Sequence, residues 1–428
     1  MARKMKDSGI EWIGEIPEGW EVIPAKFLFK NSDIRRIADD EQLTSSQQFG
    51  IISQKDYTEL TGSKVVLANK GLADWKHVEP FDFIISLRSF QGGLEMSEIT
   101  GCITWHYIVL KPCHKICSYY YKWLFKSDSY IRALQRTCSF IRDGQDLRYS
   151  NFIQVPLFEP PLAEQEKIAD YLNAECFRID AMLTKTRSSI EEYKKLKQAV
   201  ITQAVTKGVR GEREMKDSGN PWFGQIPSDW KLSRVGLHFS IILGKMLCNA
   251  PLNDTYTLEP YYCAADVHFD GVADSERKRM WFSPVEKELY RVSVGDLLVV
   301  EGGAGAGGSA IVENQDSDTY IQNSIMIVRS KGNADNRYLR YLLEFLVKQG
   351  YIDIVCNKAT IPHFTKDKLS CVPFCPCPTG EQKEIADYLD AKCAEIDGLI
   401  AKKEQLVKEL ESYKKSLIYE VVTGKREV

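Results

Sequence analysis

Two stretches of the chain return apolar residues at alternating steps of three and four. The first passes through Cys176, Ile179, Leu183, Thr186, Ile190, Tyr193, Lys197, Val200 and Ala204, the second through Cys393, Ile396, Ile400, Lys403, Val407, Leu410, Lys414, Leu417 and Val421. A mean step of 3.5 residues, held for about four heptads with Glu, Lys and Arg on the flanks, is the pattern of a coiled-coil seam. No proline occurs from Leu162 to Lys207 or from Glu381 to Thr423, and Gly208 and Gly424 follow. Both segments are therefore predicted as single long helices. Two seams of equal length in one chain are expected to pack on each other, antiparallel. Ile179, Leu183, Ile190, Tyr193 and Val200 would then meet Ile396, Ile400, Val407, Leu410 and Leu417. Lys197 and Lys414 interrupt the apolar line, a loss of stability that fixes register.

The blocks 20–160 and 231–377 have another texture. Short β-rich runs, among them Phe83–Leu87, Cys102–Leu110, Asp296–Val300 and Ser324–Val328, alternate with Gly, Asn and Asp turns. One helical stretch is predicted in each block, Tyr119–Leu134 and Asn336–Val347. Each block is about 140 residues, an ordinary domain size.

The chain is also built twice. Met5-Lys-Asp-Ser-Gly-Ile-Glu-Trp-Ile-Gly-Glu-Ile-Pro-Glu-Gly-Trp20 recurs from Met215 to Trp230, with ten of sixteen residues identical at an offset of 210. Glu164–Asp180 recurs as Glu381–Asp397, with eleven of seventeen identical at an offset of 217. That offset persists without a gap to Val205-Thr206 over Val422-Thr423. The plan that follows is a globular domain over 1–160, a long helix over 161–214, a second domain over 215–377 and a second helix over 378–428. The fold class is α+β, with two mixed α/β globular domains, two long helices in an antiparallel coiled coil and an internal pseudo-two-fold repeat.

Composition narrows the function. A chain of 428 residues with 44% hydrophobic and 27% charged residues has material for several cores. No apolar run approaches the roughly 18 residues of a membrane span, and no apolar stretch follows the N-terminal charges, so a cytoplasmic protein without a membrane partner is expected. Twelve irregularly spaced cysteines read as reduced thiols. The formal charge of −3 excludes a global basic field, and nucleic-acid binding has to rest on local patches. Catalytic signatures are missing. Gly302–Gly308 lacks the Gly-Lys-Ser/Thr ending of a phosphate loop, the cysteines lack zinc spacing, and no nucleophile elbow or metalloprotease helix is present. No catalytic and no metal-ligating residues are expected.

Charge clusters in one place. Between Lys111 and Arg142 seven cations face a single carboxylate, Asp128, with six Tyr, Trp and Phe residues from Tyr119 to Tyr130 interleaved. Cations that replace counterions, supported by flat side chains, suit a phosphate-gripping surface. Lys122, Lys126, Arg132 and Arg136 are the candidates there, the aromatics themselves being better read as core. Base-reading chemistry, Arg for guanine and Gln or Asn for adenine, occurs in the loops 86–93 and 142–148, which nominate Arg88, Ser89, Gln91, Arg142, Gln145 and Arg148. In the second block the corresponding loops are 301–309 and 357–363, with Lys358, Thr360, His363 and Lys366 as candidates.

The two copies of Glu-Gln-x-x-Ile-Ala-Asp-Tyr-Leu running into Ile-Asp and a heptad helix, the two Ser-Gly-x-x-Trp-x-Gly-x-Ile-Pro-x-x-Trp openers and the run Leu87–Gly93 make the chain resemble a type I restriction–modification specificity subunit over essentially its full length. The resemblance implies two target-recognition domains held apart by two conserved helices, each domain binding one half of a split double-stranded DNA sequence. It implies docking of two methyltransferase subunits, which bring S-adenosylmethionine, and through them restriction subunits that use ATP and Mg, with no cofactor on this chain. The seam from Cys176 to Ala204 is about 40 Å long at about 1.5 Å per residue, close to the roughly 34–36 Å of one duplex turn. The coiled coil is thus expected to act as a ruler between unlike half-sites. A scaffold joining two partners without reading DNA, and an enzyme with an unrecognised site, are the rival readings.

Overall fold

The computed structural model describes residues 3–63, 71–86, 89–137, 147–274, 276–314, 317–356 and 362–428. They divide into two compact units, residues 1–187 with 404–428 and residues 188–403. The boundary cuts both long helices, Leu162–Lys207 and Thr379–Val422, so each unit holds one globular block and a segment of each helix.

In the first unit the opener forms a hairpin of β1 (Met5–Asp7) and β2 (Glu15–Pro17). The central sheet contains β3 (Phe29–Ser32), β6 (Phe83–Ile85), β7 (Glu95–Met96) and β8 (Ile108–Pro112), antiparallel throughout in the order β3-β8-β6-β7. A separate hairpin joins β4 (Leu43–Ser46) to β5 (Gly50–Ser53). The run Cys102–Leu110, expected as one strand, is two, Gly101–Ile103 and β8, because the chain turns where Tyr107 N–H meets the Thr104 carbonyl. The helical stretch expected over Tyr119–Leu134 is likewise broken, into α1 (Ser118–Lys126) and α2 (Asp128–Arg136). Ser127 adopts an extended conformation and its hydroxyl caps the second helix at Tyr130 N–H. A Ser-Asp pair is a start signal that interrupts helical periodicity. The aromatics of α1 fill the core as expected: Tyr120, Tyr121 and Phe125 are fully buried against Phe29, Phe83 and Phe152.

The second unit repeats the frame. Its opener hairpin is β9 (Met215–Asp217) with β10 (Gln225–Pro227). Its central sheet has β11 (Phe239–Leu243), β14 (Leu297–Val300), β15 (Ser309–Ile311) and β17 (Ile325–Ser330), again antiparallel and again in the order first, fourth, second, third: β11-β17-β14-β15. A further three-stranded sheet holds β12 (Thr257–Tyr262), β13 (Lys278–Phe282) and β16 (Tyr320–Ile321), in the order β13-β12-β16. A short α3 (Pro284–Tyr290) follows β13, and α4 (Asn336–Lys348), capped by Asp335, covers the central sheet. The helix expected over Asn336–Val347 is therefore present.

The seam is present in each unit. Every seam position of the first helix is buried or half-buried from Cys176 to Ala204, as is every one of the second from Cys393 to Val421, while most intervening residues are exposed. In the first unit the two helical segments are antiparallel, with Asp180 paired to Lys414 and Arg187 to Glu411. In the second they are antiparallel too, with Lys197 paired to Asp397 and Lys403 over the Tyr193 ring.

Candidate nucleic-acid interface

The repeated motifs make the frame on which the variable loops sit. Trp20 and Trp230, both fully buried, donate their indole N–H to Glu164 (2.9 Å) and Glu381 (3.3 Å) at the starts of the long helices. Arg3 and Arg213 complete each clasp, ion-paired to the same carboxylates and lying 5.4 and 5.2 Å from the indole rings. The next residue in each motif is also used twice: Gln165 accepts from Cys117 N–H and donates to Pro160 O, and Gln382 accepts from Asp335 N–H and donates to Cys377 O. Two seam lysines find the aspartates of the Ile-Asp motifs, Lys197 on Asp397 at 2.6 and 2.8 Å and Lys414 on Asp180 at 2.6 and 2.7 Å. The two pairs are related by the same offset of 217. A long cation held by a paired carboxylate at one seam position selects register as well as partner.

In the first unit the described residues between β6 and β7 are tied down. Ser89, a candidate base contact, is buried, and its hydroxyl accepts the Ser86 N–H at 2.8 Å. Lys126 donates to Gly92 O at 3.0 Å and pairs with Glu95, whose carboxyl is pushed up by burial against the pull of that lysine. Gly93 has φ +79°, and a Cβ there would lie 2.1 Å from the Phe125 carbonyl oxygen, so α1 and the loop meet without room for a side chain. Gln91 is exposed on this loop, and Gln47, at the tip of the β4–β5 hairpin, lies so close to Gly92 that a Cβ there would sit 3.0 Å from its amide nitrogen. Two glutamines are thereby gathered at one edge.

The remaining candidates of this unit divide. Lys122 pairs with Glu98 at 2.8 Å and lies over Tyr119. Arg132 and Arg136 do not face the β6–β7 loop. They line a cavity of about 460 Å³ with Trp12, Lys415 and Tyr419, where Arg136 pairs with Glu11 at 3.0 Å and Lys415 with Asp128 at 3.2 Å. Arg148 is exposed at the end of the second candidate loop, its N–H bound by the Asn151 amide oxygen, while the Asn151 amide nitrogen reaches Thr137 O at 2.7 Å. Asn151 thus bridges Arg148 and Thr137. Arg88, Arg142 and Gln145 lie outside the described residues.

In the second unit the two candidate loops do meet. Phe364 N–H donates to Glu301 O, Gly302 bridges His363, and the exposed His363 imidazole sits 3.5 Å from the Glu301 carboxylate. Lys366 is exposed in the first turn of the short helix Lys366–Cys371. Lys358 and Thr360 lie outside the described residues. The α4 cations are committed elsewhere: Arg337 to Asp387 and Asp390 on the second long helix, Arg340 to Phe269 O and Glu344. Sequence reasoning passed over Gln47 and the exposed Lys278 and Arg279 on β13. A basic triplet, Arg277-Lys278-Arg279, followed by Met-Trp-Phe was the available signal.

Comparison with known proteins adds to this geometry. The family described as the type I restriction modification DNA specificity domain matches residues 227–409. A Methanocaldococcus jannaschii protein named for the specificity subunit of the type I restriction enzyme MjaX is 26% identical over 450 aligned residues, spanning 96% of this chain and 95% of its own. The type I restriction enzyme MjaVIII specificity subunit of that organism is 26% identical over 203 residues, 46% of this chain and 43% of its own. A chain solved for complex assembly and conformational transition of the type I R-M system superposes with a TM-score of 0.70 at 16% identity, covering 95% of this chain and 98% of that one. The HsdS subunit from Thermoanaerobacter tengcongensis superposes with a TM-score of 0.55 at 16% identity, covering 96% and 98%. These two likenesses show the fold.

Proposed function

Since the chain carries a type I restriction modification DNA specificity domain and aligns nearly end to end with a protein named as a type I specificity subunit, we propose that it is the non-catalytic reader of a type I restriction–modification complex and recognises an asymmetric split DNA target, one half by each globular block. The observation that carries this reading is one frame bearing two different loop sets. The Trp–Glu–Arg clasps, the Gln anchors, the Lys–Asp seam pairs and the four-strand sheet order are duplicated, whereas among the described residues the Gln47/Gln91 edge of one block has no copy at the Glu301/His363 edge of the other. A duplicated mount with unlike edges suits two unlike half-sites.

Docking belongs to the same proposal. One heptad position stays apolar yet exposed: Met182, Leu406 and Tyr413 in the first unit, Leu196 and Leu399 in the second. By the offset of 217, Met182 matches Leu399 and Leu196 matches Tyr413, which suits a methyltransferase subunit bound twice. S-adenosylmethionine, ATP and Mg are assigned to the methyltransferase and restriction partners, and the complex to the cytoplasm. Blocks with net charges of about +1 and −1 leave much of the phosphate grip to partners, so affinity for DNA should rise when the methyltransferase is added.

The test is methylome sequencing of a host expressing the neighbouring methyltransferase with and without this chain. A split motif that appears only with the chain is expected; methylation independent of the chain would leave the scaffold reading. Inserting one heptad in both helices, after Thr186 and after Lys403, should lengthen the spacer of that motif. An unchanged spacer removes the ruler.

A further inference from the structure

All eight tryptophans are among the described residues, and seven of them are buried or half-buried. Trp105 is 54% exposed. It lies in the turn Thr104–Tyr107, which is closed by Tyr107 N–H on Thr104 O at 3.0 Å. His106, also exposed, is stacked on it, with ring centroids 3.5 Å apart and planes 29° from parallel. An indole left in water adds little to the stability of its own fold, whereas it is among the largest apolar surfaces that a binding site can offer.

Strand register fixes where this pair sits. β8 starts at Ile108, opposite Ile85, the last residue of β6. The turn therefore enters the central sheet at the end where Ser86 leaves it to begin the candidate base-reading loop 86–93. The second block repeats the arrangement. β17 starts at Ile325, opposite Val300, the last residue of β14, and Glu301 N–H donates to Ser324 O at 2.8 Å, which fastens that turn to the loop 301–309. Ile108 and Ile325 differ by 217, the offset of the long helices, so Trp105 and His106 match Gln322 and Asn323. Those two are half-buried, and the Gln322 amide oxygen accepts from the Ser324 hydroxyl at 2.7 Å. The mount is common to both blocks and the side chains on it are not: an exposed aromatic stack in one, tucked amides in the other. A residue type that changes between blocks at a fixed place beside the reading loop belongs with the half-site rather than with the shared frame.

We infer that the Trp105–His106 stack is a base contact of the first block, its indole lying against the face of a nucleobase at a step beside those that the loop 86–93 reads. Two rings stacked at 3.5 Å have the flatness and spacing of neighbouring bases, and the imidazole supports the indole in that orientation. Stacking and wedging act on apolar base surface rather than on phosphate. That suits a block whose candidate cations Lys122 and Lys126 are already held by Glu98 and Glu95. The inference rests on the proposed DNA-reading function and names a residue of its first half.

The experiment uses the full chain assembled with its methyltransferase and a fluorescent duplex of about 40 base pairs that carries the split motif found in the wild-type methylome. Trp105→Ala should weaken binding about 5- to 150-fold, the range of one lost aromatic–base stack. The slope of log affinity against log salt should not change, because no cation is removed. Trp105→Phe keeps a ring and should recover most of the loss, while the duplex should quench less tryptophan emission in this variant than in the wild type. In the methylome of Trp105→Ala one half of the motif should relax and the other stay intact. Unchanged affinity and motif in Trp105→Ala overturn the inference, as does equal quenching in Trp105→Phe and the wild type. Loss of assembly with the methyltransferase in Trp105→Ala overturns it too, and makes the pair a docking contact for that subunit. A split motif in the wild type with an unaffected Trp105→Ala rejects the stack alone, whereas absence of any split motif rejects the function on which it rests.

Discussion

The seam pair Asp180–Lys414 offers a sharp test of how the helices recognise each other. Lys414 approaches both oxygens of Asp180, with the lysine side chain 24% exposed and the aspartate 54% exposed. Such exposure places the pair towards the screened end of the range, where an ion pair is worth at most about 1 kcal/mol. Lys414→Asp alone sets two carboxylates side by side, and Asp180→Lys alone two ammonium groups. At about 4 Å and an effective dielectric constant between about 20 and 80, like charges repel by about 1–4 kcal/mol, and the exposure selects the lower end. Each single variant should therefore lose about 1–1.5 kcal/mol, and the double swap should recover most of both. Helix-propensity differences cancel in the cycle, leaving a coupling of about 1.5–2 kcal/mol. The readout is urea-dependent hydrogen exchange of the amides over 176–187 and 404–421, which reports on the first unit itself. At about 1 M salt, where the Debye length is about 3 Å, the coupling should shrink by more than half. A coupling below about 0.3 kcal/mol at low salt would mean that the lysine tolerates the seam without specifying it.

Three further outcomes follow from packing and burial. Gly93→Ala places a Cβ against the Phe125 carbonyl at a left-handed backbone position, and should cost about 3 kcal/mol or more, read as a lower first-unit transition in scanning calorimetry. Trp20→Phe removes the indole N–H that donates to Glu164 and shrinks a fully buried side chain, so about 2–4 kcal/mol should be lost, with a smaller loss for Trp230→Phe, whose bond is longer. Burial raises the carboxyl of Glu344 above its ordinary value, with Arg340, Lys197 and Lys348 opposing. The folded state then binds the proton more tightly than the unfolded chain, so this group contributes a fall in stability as pH rises from about 4.5 through the folded value. Relative to wild type, Glu344→Gln should gain stability between about pH 4 and pH 7 in urea midpoints; a constant difference across that range would show that Arg340 holds the carboxylate ionised throughout.

The seam, the two helices and the duplication were legible in the linear chain because their signals are local and periodic: a 3.5-residue step, an absence of proline, and identical motifs at a fixed offset. The same is true of the core role of Tyr120, Tyr121 and Phe125, whose neighbours leave a buried face at helical spacing. What periodicity missed were the interruptions, the Ser127 cap inside one helix and the Thr104–Tyr107 turn inside one strand, since one residue leaving its conformation scarcely changes a window average. Candidate contacts were less legible still. Residue type showed that Lys126, Arg337 and Lys278 were cations, but only tertiary packing decided that Glu95 and Asp390 hold the first two while the third is left exposed. A charge is available to a partner only where the fold has brought no opposite charge to it, and that neighbour is commonly tens of residues away along the chain.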